Sequence, residues 1–176
     1  MINAQERSYP KTFEELAKAL PELLEQLKAP EKRFGLKGYL AKGSGEKTAF
    51  RALKAAGLLP SETESSAFPG IYLLFHENAP FYIGISRNVL NRLKQHVAGK
   101  SHYSASLAYK LAKEQKPDFT GKRNEMKFEF INKAQNYILE HCKASVLPIY
   151  NAEQLYLLEL YTAMQLKTPY NTFETH

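Results

Sequence analysis

Gly70-Ile71-Tyr72-Leu73-Leu74-Phe75-His76 and, a few residues on, Phe81-Tyr82-Ile83-Gly84-Ile85 decide how this chain is read. Both runs are apolar, aromatic and β-branched, which suits strands, and the short gap between them makes a hairpin. Alternation places Ile71, Leu73 and Phe75 on one face of the first strand and Tyr72, Leu74 and His76 on the other. In the second, Phe81, Ile83 and Ile85 oppose Tyr82 and Gly84. Two registers stand open. One puts Tyr72 opposite Gly84, brings both phenols to one face and leaves space for a ligand over the glycine. The other carries Tyr72 to the face of Ile85. Each tyrosine alone reads equally well as a packing residue.

Working outward, residues 88–98 form a helix whose start Ser86 or Asn88 can cap, with Leu90, Leu93 and Val97 as its core stripe. Arg92 and His96 stand one turn apart on the surface flanking that stripe. An arginine can fork two donors onto phosphate oxygens, and a histidine can exchange a proton near neutral pH. The plainer alternative is a solvated helix face. Residues 152–166 form another helix, with Asn151 as its cap and Gln154 at the capping-box position. Its apolar residues cover nearly every side, so it is expected to be largely buried. Glu159 lies in its middle, where a carboxylate needs either a basic partner or a metal. Glu153 reads as a first-turn charge that favours the helix dipole.

The polar stretch 61–68 divides the chain into an N-terminal helical extension, residues 1–66, and a domain spanning 67–176. In the extension, residues 12–28 form an amphipathic helix with a Thr12–Glu15 capping box, interrupted at Pro21 by a kink or a split into two helices. A second helix covers 46–56 and stops at Gly57. Between them lies a basic segment, 32–47. After the hairpin and its helix come a helix over 104–116, a less regular stretch over 127–142, and a strand near 144–150. The fold class is therefore α+β: a small, mainly antiparallel three-stranded sheet flanked by helices, with a helical insertion at about 99–142.

Composition narrows the partners. The 176 residues are 24% charged and 44% hydrophobic, with a formal charge of +6 and a pI near 9.2, a balance that suits an acidic partner such as nucleic acid. Cys142 is the single cysteine, so no intrachain disulfide is possible, and a reducing, cytoplasmic setting fits. The N-terminus is polar and charged, unlike a secretory signal, and no apolar run reaches a membrane span. The five histidines show no zinc-ligand spacing. Arg92, Lys94, Lys100, His102 and Ser104 are candidate contacts to a nucleic-acid backbone. Tyr103 and Ser106 belong to the same loop, which also reads as a polar turn with helix-capping serines.

Taken together, GIY at 70–72, YIG at 82–84, SRNVLNRLKQH at 86–96 and LLELYTAMQLKTPYN at 157–171 resemble the GIY-YIG nuclease family. His96 matches a subset, including some restriction enzymes, with histidine one turn after the arginine. The resemblance implies a divalent-metal-dependent endonuclease acting on DNA. In it Tyr72 and Tyr82 sit in the catalytic centre with His96, Arg92 contacts the scissile phosphate, Glu159 is the sole protein ligand of Mg²⁺ (or Mn²⁺), and Asn171 closes the site. Alternatives are a toxin or effector nuclease acting on RNA, and a DNA-binding module without turnover. Nothing in the resemblance accounts for residues 1–66 or the insertion. Neither oligomeric state nor target is encoded in a pattern that can be read.

Overall fold

The computed structural model describes residues 12–41 and 43–171. In chain order the elements are α1 (Phe13–Lys28), β1 (Phe34–Gly35), α2 (Leu36–Leu40), α3 (Glu46–Ala55), β2 (Gly70–His76), β3 (Ala79–Ser86), α4 (Val89–Ala98), α5 (Ser106–Glu114), α6 (Phe128–His141), β4 (Cys142–Pro148) and α7 (Ala152–Leu166). The sheet is antiparallel throughout, in the order β1-β4-β2-β3. It thus has four strands rather than three. The extra one is only two residues long and comes from the N-terminal region, where Phe34 and Gly35 pair with Ala144 and Lys143.

Helices cover both faces. Ile71, Leu73, Phe75 and Ile83 pack with Leu20 and Leu27 of α1 and Leu155 and Leu158 of α7. On the opposite face Tyr72, Leu74, Ala144 and Val146 join α2 to α6 in the larger core. Central strand β2 is buried from Gly70 to Phe75, which is why its sequence is an almost unbroken apolar run.

The hairpin adopts the register with Tyr72 opposite Gly84. Its turn is two residues, Glu77 and Asn78, both at positive φ, a geometry that matches the strand twist. Between Leu74–Tyr82 and Phe75–Pro80 the register slips by one, which leaves Phe81 as an extra, bulged residue. The bulge corrects the alternation: Phe81 packs in the Tyr72 cluster and not beside Ile83.

The expected caps form. Thr12 and Glu15 make a reciprocal capping box, and Asn88 and Asn151 accept from Asn91 N–H and Gln154 N–H. Helix α1 runs as a single element through Pro21, which lies on its exposed side. The 127–142 stretch resolves into α6 leading directly into β4. Helix α7 differs most from expectation. Leu155, Leu158, Thr162 and Ala163 are buried, but Tyr156, Leu160 and Met164 form an exposed stripe.

Gly84 has no room for a side chain, because a Cβ built there would fall on the hydroxyl and ring of Tyr72. Gly84→Ala is therefore expected to destabilise the fold by about 1–3 kcal/mol, the range for overpacking a core. Urea unfolding measures this, and a midpoint equal to wild type would show that the ring can move aside freely.

Candidate active site

Strand β2 supplies Tyr72, strand β3 supplies Tyr82, and helix α4 supplies Arg92 and His96. Asn88 starts α4 with its side-chain cap and also donates to Glu46 of α3 at 3.0 Å, which fixes where the helix begins. The second turn of α4 then brings His96 over the tyrosine face of the sheet. The three rings form a triangle, with centroids 6.2 Å apart for Tyr72–Tyr82, 5.6 Å for Tyr72–His96 and 5.5 Å for Tyr82–His96. The Tyr72 hydroxyl and His96 Nε2 are hydrogen-bonded at 2.7 Å.

Two expectations change here. The space over Gly84 is occupied by the ring of Tyr72 itself, not left open for a ligand. His96 is not on the helix surface but fully buried, as Tyr72 is. Tyr82 is only partly buried and is the phenol that solvent reaches.

Burial sets the proton positions. It pushes the Tyr72 phenol well above its ordinary range; neighbouring Tyr82 adds to the rise and the Arg92 charge opposes it. Desolvation, helped by Arg92, lowers His96 to about 3. The pair therefore rests as a neutral phenol and a neutral imidazole. His96 Nδ1 is buried without a partner among the described residues, so this polar group is held at a cost. Tyr82 is also raised, first by desolvation, with Arg92 and the Tyr72 hydrogen bond pulling it down.

Arg92 is half-buried and three of its five N–H donors are engaged. It donates through Nη1 to Gln95 Oε1 (2.9 Å) and the Ser104 carbonyl (3.0 Å), and through Nη2 to Ser106 Oγ (2.7 Å). The start of α5 thus holds the guanidinium beside the two phenols. Gln95 was not singled out in the sequence, and Ser106 was read as a backbone contact or a helix-capping serine rather than as a partner of Arg92. No local pattern marks them, since their role exists only once α5 folds back onto α4.

Glu159 is half-buried on α7. Desolvation raises its carboxyl above the usual range, and the main-chain N–H of Ile85 partly offsets this. Among the described residues it forms no salt bridge, so the ion-pair alternative is not the one adopted. Its charge is felt at Tyr82. An uncompensated carboxylate oxygen of this kind fits a hard divalent cation. Among the described residues no group of three or more metal-ligating side chains gathers, so such a cation would keep mostly water and substrate oxygens.

Asn171 sits beside the site rather than in its centre. Its amide accepts from Ile83 N–H (2.9 Å) and donates to Ile83 C=O (2.7 Å). With Tyr170 N–H on Phe81 C=O (3.3 Å), it covers the outer edge of β3 and pins the strand that carries Tyr82. The remaining predicted contacts scatter. Lys94 Nζ donates to the Ser44 carbonyl, which ties α4 to the loop before α3. His102 Nε2 is 2.8 Å from the Met126 carbonyl and its ring stands edge-on to Phe128. Ser104 contributes its carbonyl to Arg92, and Lys100 is exposed.

Residues 68–136 match the family model of the GIY-YIG catalytic domain. Over that stretch the chain is similar to a GIY-YIG catalytic domain. Such domains are nuclease domains, and nucleic acid is their substrate. The match ends within α6, so Glu159 and Asn171 are placed by the fold and not by the family model. No curated protein and no solved structure matches the chain. Among the described residues no helix is long and apolar enough to cross a membrane.

The raised Glu159 carboxyl carries a stability consequence. A folded-state value above the unfolded one means that the folded state gains by holding the proton, so stability falls as pH rises through that interval. Glu159→Gln is therefore expected to melt higher than the metal-free wild type at neutral pH, by about 2–4 °C for each kcal/mol relieved. The gap should close as pH drops below the Glu159 value. Scanning calorimetry with chelator present measures it, and a lower melting temperature at neutral pH would contradict an unpaired carboxylate.

Proposed function

We propose that this chain is a divalent-metal-dependent endonuclease that hydrolyses DNA phosphodiester bonds. The observation that supports it best is the meeting of Tyr72, Tyr82, His96 and Arg92 on one sheet face, beside a Glu159 carboxylate with no basic partner. The net charge of +6 suits an anionic polymer. A reducing, cytoplasmic setting belongs to the same proposal, given the single buried thiol of Cys142.

Glu159 would hold Mg²⁺ or Mn²⁺. Bound there, the cation supplies Lewis-acid polarisation of the phosphate and stabilises the leaving 3′ oxygen. Arg92 neutralises charge on the non-bridging oxygens, with its orientation set by Ser104 and Ser106. Tyr72 takes a proton from the attacking water while His96 Nε2 accepts the Tyr72 proton across the 2.7 Å bond. This relay starts from the neutral pair and needs no free phenolate at rest. The phosphate favours it, because its negative charge offsets the Arg92 charge that helps to depress His96. Tyr82, the more exposed phenol, orients the water. Asn171 keeps β3 in place. Residues 1–66 and the insertion at 99–142 are proposed to select the target, the insertion because Ser104 and Ser106 at the start of α5 hold the arginine.

With Mg²⁺, the wild type is expected to cut plasmid DNA, and chelator should stop it. Glu159→Ala and Tyr72→Phe should each lower the rate by about 10²-fold or more while the far-UV spectrum stays native. Gels of plasmid, linear DNA and RNA read the outcome. Full activity in a folded Glu159→Ala protein contradicts the assignment, and cleavage of RNA alone moves the substrate to the RNA alternative.

A further inference from the structure

Beyond the catalytic residues lies a groove that the reaction above does not use. It has a cavity volume of about 440 Å³ and is walled by Ile85, Ser86, Arg87, Tyr150 and Tyr156. That volume falls within the range of sites for small organic groups, about 300–1,000 Å³. Tyr150 and Tyr156 are 67% and 66% exposed, which is unusual for large aromatic rings that nothing covers. Arg87 is exposed at the groove, and among the described residues its guanidinium has no hydrogen-bond or ion-pair partner.

The groove adjoins Glu159. Ile85, whose main-chain N–H reaches Glu159, forms part of its wall. Tyr156 precedes Glu159 by three residues on α7, so the two side chains are neighbours on that helix. A strand held with a phosphate at Arg92 and Glu159 can therefore place an adjoining nucleotide here.

We propose that this groove seats one unpaired nucleotide of the substrate strand beside the scissile phosphate, its base on Tyr156 and Tyr150 and its phosphate on Arg87. The inference rests on the nuclease reading above. Exposed aromatic rings with a neighbouring cation are what single-stranded nucleic acid uses, because every base has a stacking face. A base inside a duplex has both faces covered by its neighbours and cannot enter. The site thus favours single-stranded, flapped or locally opened substrate. The exposed Arg87, in a chain of net charge +6, suits an anionic nucleotide better than a further copy of the same basic chain. The exposed stripe continues to Leu160 and Met164, however, so a second copy of the chain is the competing occupant.

Fluorescence anisotropy of the full chain in chelator, with a labelled oligothymidylate and a labelled hairpin duplex, tests the proposal without cleavage. Tyr156→Ala and Arg87→Ala are each expected to weaken oligothymidylate binding about tenfold. Tyr156→Phe should bind like wild type, and the duplex should respond less than the single strand to Tyr156→Ala. Unchanged single-strand affinity in Tyr156→Ala, or equal losses on both probes, overturns the proposal. So does sedimentation showing a wild-type dimer that Tyr156→Ala disperses, which assigns the face to a second copy. Cleavage by the wild type in Mg²⁺ separates this inference from the reading beneath it. A protein that cuts but keeps its affinity in Tyr156→Ala loses only the groove. One that never cuts but loses single-strand affinity in Tyr156→Ala loses the nuclease reading and keeps a nucleotide site.

Discussion

The Tyr72 ring lying across Gly84, with its hydroxyl bonded to His96, is the contact around which the molecule is arranged. It requires the Tyr72–Gly84 register, because any residue with a Cβ at that pairing would displace the ring. It requires α4 to start at Asn88, so that its second turn carries His96 into the core. It also requires β3 to hold its place at the sheet edge, which Asn171 secures by pairing with the main chain of Ile83. Fold and site are the same construction here: one tyrosine is both a core residue and the inner member of the proton pair.

The electrostatics follow from that burial. Tyr72 and His96 are neutral because burial strips away the hydration that would stabilise their charged forms. Arg92 is the cation felt by all three rings, and three of its donors go to Gln95, Ser104 and Ser106 and none to a carboxylate. Glu159 is the matching anion, with no salt bridge among the described residues. The two charges do not cancel each other. Each remains available to a reactant of opposite sign, Arg92 to a phosphate and Glu159 to a cation. Evolving such a site costs stability, since an unpaired half-buried carboxylate is unfavourable, and that cost is typical where the residues serve chemistry.

Much of this was legible in the sequence because the signals are local. Thr12 with Glu15, Asn88 and Asn151 announce helix starts through side-chain chemistry that acts within three residues. The paired tripeptides offered the observed register as one of two, and the structure adopts it with the Tyr72 ring over a residue that has no Cβ. What escaped depended on distance or on broken regularity. Phe81 could not be placed by alternation, since a bulge shifts every face beyond it. β1 is two residues long and has no periodicity to read. The all-apolar sequence of α7 suggested burial on every side, yet the sheet and α1 cover only part of it, leaving Tyr156, Leu160 and Met164 outside. Ser106 acquires its role only through the return of α5 onto α4. His96 read as a surface residue because one turn of an amphipathic helix does not reveal how wide its buried stripe will be.

The protonation state of His96 tests the central claim most directly. Heteronuclear NMR of the imidazole ¹⁵N signals can be followed from about pH 8 to pH 4, across the interval where an ordinary histidine gains its charge. The account predicts a neutral His96 ring throughout, titrating only near the value of about 3 that burial and Arg92 impose. A His96 ring that becomes charged close to the ordinary value of about 6.5 would contradict it. It would mean that the Tyr72–His96 pair is open to water and that the site is not the enclosed one described here.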